Sequence, residues 1–305
     1  MRIHRFHQLD VFTTTPLAGN PLAVFPDARG MDAATMQALA REMNLSETTF
    51  VLPSETATRR VRFFTPAAEI PLAGHPTIGT WWLLAELGLI PDLPALGPAR
   101  VTQETGRGVL PVDLELKDGR PVTVEMTQAT PEWGAVVTDR AALARALGGG
   151  ADLLADGPAP QVVSTALPQL MVPVRARAAL RDLPSGGTGG GLAAALRALG
   201  TDCAMLYAAG DAADPTAHCR MFAPGLGVPE DPATGSAAGA LGAYLVRHRV
   251  AVPRNGVVRL SFEQGVDIGR PSRIAVQVRC DAAGDITEVR VGGAAVRVIT
   301  GDVTL

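Results

Sequence analysis

Three short segments concentrate the side chains able to move a proton or hold an anion. The densest runs Glu230, Asp231, Pro232, Ala233, Thr234, Gly235, Ser236, two carboxylates and two hydroxyls immediately before the uncharged apolar run 236–246. If that run is a helix, its first N–H groups are unpaired and partially positive, which suits a substrate carboxylate. Ordinary capping of the helix by Asp231 or Thr234 is the competing reading. His75, between Gly74 and Pro76, precedes a second apolar run in the same way. It is either a hydrogen-bonded turn residue or a contact to the same ligand. Glu47, in the polar stretch 44–49, is either a solvated edge charge or a carboxylate facing an enclosed site. In the second case desolvation raises its pKa until it can both take and return a proton.

Several other chemistries lack their residues. Lys117 is the only lysine and lies in a turn, a poor place for a buried Schiff base, so a pyridoxal-phosphate enzyme is not expected. The five histidines (His4, His7, His75, His218, His248) form no HExxH pair, so no zinc site is expected. The glycine-rich stretch 184–191 lacks the spacing of a dinucleotide or phosphate loop. A net charge of −3 without a basic run gives no reason to expect nucleic acid or an anionic membrane as partner. Three scattered cysteines, Cys203, Cys219 and Cys280, suit a reducing cytoplasm, and no signal-like apolar segment opens the chain, so a cytoplasmic protein is expected.

The elements that must position these groups follow from periodicity. Strands are expected at 3–12, 22–25, 47–52 and 60–64, with Asp32 capping a helix through Met36, Leu39, Ala40 and Met43. The segment 77–87, TIGTWWLLAEL, has one charge, Glu86, and reads as a helix buried on all sides, with Pro76 at its first position. Residues 110–116 and 121–126 flank a turn containing Asp118 and Gly119, a hairpin signature. Later strands are expected at 205–208, 218–222, 257–262 and 274–280, with helices at 192–199 and 236–246. With 305 residues, 47% of them hydrophobic, and two all-round apolar helices, the chain reads as two α/β halves of duplicated architecture.

NLSETTF at 44–50, PLAGHPTIGT at 71–80 and EDPATGSAAGAL at 230–241 resemble, in order, the signature segments of the phenazine-biosynthesis PhzF-like family. HQLDVFTTTPLAGNPLAVF at 7–25 and VGGAAVRVITGDVTL at 291–305 extend the likeness over the whole chain. The resemblance implies an α+β diaminopimelate-epimerase-like fold, two similar domains each wrapping sheet around a central helix, with the active site in the cleft between them. It places the domains at 1–125 plus 294–305 and at 126–293. Amino-acid epimerases of this fold use two cysteines, and the matching positions here are Ala73 and Thr234, which removes the thiol pair. By resemblance Glu47 is the catalytic acid/base, with His75, Asp231, Gly74, Gly235 and Ser236 binding substrate. The implied reaction is a cofactor-independent proton shift from C3 to C1 of trans-2,3-dihydro-3-hydroxyanthranilate. The alternatives are another small amino- or hydroxy-carboxylate as substrate, or a non-catalytic binding protein using the same cleft. A homodimer and domain closure are also implied.

Overall fold

The computed structural model describes residues 2–188, 190–210 and 214–305; Gly189 of the glycine-rich connection lies outside them. The chain divides into two compact units, Met1–Met126 with Gly292–Leu305, and Thr127–Val291. Among the described residues no helix is long and apolar enough to cross a membrane.

The first unit contains β1 (Ile3–Val11), β2 (Asn20–Phe25), α1 (Ala33–Met43), β3 (Thr48–Leu52), β4 (Arg59–Phe64), β5 (Glu69–Ile70) and α2 (Gly74–Glu86). It continues through β6 (Gly97–Thr105), β7 (Gly108–Lys117) and β8 (Arg120–Thr127). β1 pairs antiparallel with β2, β2 parallel with β3, β3 antiparallel with β4, β4 parallel with β6, and β6 antiparallel with β7. The short β5 sits antiparallel on β4, just ahead of α2. Asp118 and Gly119 both have positive φ, 53° and 72°, the conformation a tight β7–β8 hairpin requires.

Alternate residues of β2 face opposite sides of the sheet. Leu22 meets α2, where a Cβ on Gly79 would fall 2.6 Å from Leu22 Cδ2 and 2.7 Å from Val11 Cγ2. Phe25 instead stacks on Phe50, centroids 4.9 Å apart, with Phe64 edge-on, and these rings receive Met36 and Leu39 of α1. α1 is amphipathic and lies outside; α2 is apolar all round and central, with Trp81 fully buried and its indole N–H donating to Gln103 Oε1 at 3.0 Å.

The second unit repeats this plan. Its elements are β9 (Glu132–Val136), α3 (Arg140–Ala146), β10 (Gln161–Ser164), β11 (Pro168–Pro173), α4 (Arg177–Arg181), α5 (Gly191–Ala198), β12 (Ala204–Ala209), β13 (Ala217–Ala223), β14 (Val228–Asp231), α6 (Gly235–Arg247), β15 (Val257–Gln264) and β16 (Ser272–Cys280). β10 pairs antiparallel with β11, β11 parallel with β12, β12 antiparallel with β13, β13 parallel with β15, and β15 antiparallel with β16. The short β14 lies antiparallel on β13 just ahead of α6. The order and sense of pairing match those of β1 to β7, so the duplication is written in the topology although little of it survives in the residues. α6 packs on β10, β11, β12, β15 and β16, with Gly242 leaving room for Val276, whose Cγ1 would stand 2.7 Å from a Cβ there. α3, α4 and α5 contribute Leu143, Leu180, Leu192 and Leu196 to an outer cluster with Val172, Leu206 and Phe222. β17 (Ile286–Gly293) then leads back to the first unit, where β18 (Ala295–Thr304) pairs antiparallel with β1.

Two sequence expectations change. α2 begins at Gly74, three residues before the expected start, so Pro76 is its third residue rather than its first. Proline's missing N–H costs nothing anywhere in a first turn, whose N–H groups have no partners within the helix. The strand expected from Glu47 begins one residue later, at Thr48.

Candidate active site

Glu47 is delivered by the end of α1. Asn44 adopts the left-handed conformation, φ 50°, and its N–H donates to Ala40 O at 3.2 Å, which stops the helix. Three residues later Glu47 stands immediately before β3, its side chain one-fifth exposed. Its Oε2 is buried without a hydrogen bond and lies 3.6 Å from His75 Nε2. Loss of solvation raises the carboxyl pKa above its ordinary 4.5, with a hydrogen bond from Ser46 acting weakly in the opposite direction. The edge-charge alternative therefore fails: this is an enclosed carboxylate held close to a buried imidazole.

Gly74 and His75 are the first two residues of α2; Gly235 and Ser236 are the first two of α6. The residues before them, Ala73 and Thr234, are the helix N-caps, and neither makes a side-chain capping bond. The Thr234 hydroxyl donates instead to Asp231 Oδ2. Neither N-cap side chain therefore occupies the first-turn N–H groups of its helix, the groups an anion-binding helix start uses. The capping alternative for Thr234 is not what the fold uses. Neither N-cap carries a thiol, while Cys203 and Cys219 are buried with thiol pKa values raised by desolvation, that of Cys203 to about 12.

The loop ahead of α6 is fixed from beneath. Gln264 Nε2 donates to Asp231 O at 2.7 Å and to Thr234 Oγ1 at 3.1 Å, and its Oε1 accepts from Thr234 N at 3.3 Å. Ser272 Oγ donates to Pro232 O at 3.2 Å. Gly265, at φ 78°, lies so near that a Cβ would reach 2.5 Å from Pro232 O and also collide with Arg270 O, both backbone atoms. Gly265→Ala is expected to destabilise the protein by about 2–4 kcal/mol, combining left-handed strain with overpacking. Urea unfolding measures it, and a wild-type midpoint would contradict the tight seat assigned to this loop.

Glu230, one residue before Asp231, is taken up by an ion pair. It forms a two-pronged ion pair with Arg220, 2.9 Å from Nε to Oε1 and 2.6 Å from Nη2 to Oε2, both side chains 3% exposed. Arg220 Nη1 also donates to Leu183 O at 2.6 Å and Leu180 O at 3.0 Å. Because alternate strand residues face opposite ways, pinning Glu230 turns Asp231 to the other side of β14. Neither Arg220 nor Gln264 was visible as a site residue. The available signal for Arg220 was an arginine inside the apolar run HCRMF, which a strand interior admits only when paired.

Residues 9–301 match the family model of phenazine biosynthesis-like proteins, PhzC-PhzF. The trans-2,3-dihydro-3-hydroxyanthranilate isomerase of Pseudomonas aeruginosa is 39% identical over 303 residues, 95% of this chain and 96% of its own. A PhzF-family phenazine biosynthesis protein of Bacillus anthracis superposes with a TM-score of 0.90 at 28% identity, covering 100% of both chains. A hydroxyproline epimerase of Agrobacterium vitis, 12% identical, has a TM-score of 0.63 over 99% of this chain and 92% of its own, a likeness of fold alone. The chain belongs to the PhzC-PhzF family of phenazine biosynthesis-like proteins.

Proposed function

We propose that this isomerase shifts a proton between two carbons of a small amino- or hydroxy-carboxylate, with Glu47 as the single acid/base. The observation that carries the reading is the enclosed Glu47 carboxylate, whose Oε2 has no hydrogen bond and whose pKa is raised. An ionised carboxylate in that setting is a stronger base than one in water, and once protonated it is an acid able to return the proton to a second carbon. Atoms and charge are unchanged over the cycle, so the chain's own groups suffice. His75 steadies Glu47 and a polar substituent of the substrate. In the second unit, Asp231 takes the amino or hydroxyl group, and Gly235 and Ser236 at the start of α6 take the carboxylate, with Gly74 allowing close approach at the start of α2.

The first substrate to try is trans-2,3-dihydro-3-hydroxyanthranilate, which names the activity of the Pseudomonas aeruginosa relative. Incubation with purified protein, followed by proton NMR, is expected to show its disappearance. No conversion would overturn this substrate and leave another small carboxylate. The two compact units are proposed to serve as the two domains of a homodimeric cytoplasmic enzyme. Sedimentation velocity tests the dimer.

A further inference from the structure

Ser236 is gripped from behind by the β10–β11 hairpin. Gln169 Nε2 donates to Ser236 Oγ at 2.9 Å, and Thr165 Oγ1 donates to Ser236 O at 3.3 Å. Gln169 is the second residue of β11, paired with Val163, while Thr165 begins the hairpin loop. Gly239, near the start of α6, permits the approach: a Cβ there would stand 3.1 Å from Thr165 Oγ1. Gln169 is 0% exposed, and its Oε1 is buried with no hydrogen-bond partner.

An apolar side chain would fill that space without leaving an oxygen unsatisfied, so packing does not account for a glutamine here. The engaged end of the amide does. A serine hydroxyl has one proton and two lone pairs. With one lone pair held by Gln169 from inside the unit, the proton is left to point outward, beside the first-turn N–H groups of α6. That is the polarity an anionic oxygen needs. Without the amide donor, the hydroxyl is free to turn its proton elsewhere.

We propose that Gln169 is a positioning residue for substrate binding, fixing the donor direction of Ser236 toward the substrate carboxylate. The proposal rests on reading the α6 mouth as the carboxylate site, and its test separates the two. Wild type, Ser236→Ala, Gln169→Met and the double variant are assayed on trans-2,3-dihydro-3-hydroxyanthranilate. Each single variant is expected to raise KM about tenfold with kcat changed less than about twofold, and the double variant to be no worse than Ser236→Ala. Methionine nearly preserves the shape and removes the unsatisfied oxygen, so the variant is expected to fold; Gln169→Leu repeats the reading in a second side chain. A wild-type KM in Gln169→Met, or effects that multiply to about a hundredfold in the double variant, would overturn the role of Gln169. A wild-type KM in Ser236→Ala would overturn the carboxylate site itself.

Discussion

Glu47→Gln is expected to lower kcat and kcat/KM together by about 10²–10⁴-fold while raising the thermal stability of the protein at neutral pH. The two effects have one origin. Glutamine keeps the shape but cannot take a proton, so turnover is lost. The wild-type carboxyl has a native pKa above its ordinary 4.5, so between those values the native state holds a proton that the unfolded chain has released. Stability from this group is therefore fully present below about pH 4.5 and is lost as pH rises through the raised native value. The variant escapes that loss, so its advantage in Tm should be near zero in acid and reach a plateau above the native pKa. A Tm at or below wild type across this range would contradict the desolvated state of Glu47. In the wild type, kcat/KM should fall in acid with a midpoint above the ordinary carboxylate range, because the base must be ionised to act.

The largest stability effect is expected at Arg220. Replacing it by leucine leaves the Glu230 carboxylate, 3% exposed, without its cation and with the Ser185 hydroxyl still donating to it, and removes the donor shared by the carbonyls of Leu180 and Leu183. Breaking a buried pair from one side costs about 3–5 kcal/mol, which for a unit of this size lowers Tm on the order of 10 °C. KM should rise as well, since β14 then no longer fixes the direction of Asp231. The double variant Arg220→Leu/Glu230→Leu should recover part of the stability, because no charge is left buried alone. If the double variant is less stable than Arg220→Leu, the ion pair is not the origin of the loss. Differential scanning fluorimetry of the three variants reads this.

Much of the fold was legible because the two central helices advertise themselves. TIGTWWLLAEL and SAAGALGAYLV carry one charge between them, and only a helix surrounded by its own sheet can be that apolar. The outer helices were harder: α3 and α4 are five to seven residues of alanine, leucine and arginine, too short for a helical period to stand out. The duplication was nearly invisible in residues yet plain in strand pairing, since topology fixes which edges meet and not which side chains line them.

Of the expected site, the sequence motifs name Glu47, His75, Asp231 and Ser236 as candidates, but not the side chains that hold them. Glu47 is surrounded in sequence by Asn44, Ser46, Thr48 and Thr49, the composition of an exposed turn; the buried imidazole beside it, His75, is 28 positions away. Gln169, Arg220 and Gln264 each act on residues between 10 and 67 positions distant. Polar residues in apolar strands hint at such pairs, but the partner is chosen by strand register, which a single chain does not disclose.

In the proposed reaction Glu47 carries the proton. The most direct test of this is NMR of trans-2,3-dihydro-3-hydroxyanthranilate in D₂O with wild type and Glu47→Gln, each at matched, binding-competent concentration. Wild type is expected to convert the substrate, with any deuterium that exchanges onto Glu47 entering at the ring carbon that receives the proton, and Glu47→Gln to leave it unconverted and unlabelled. Conversion and labelling by Glu47→Gln at a rate near wild type would place the base elsewhere.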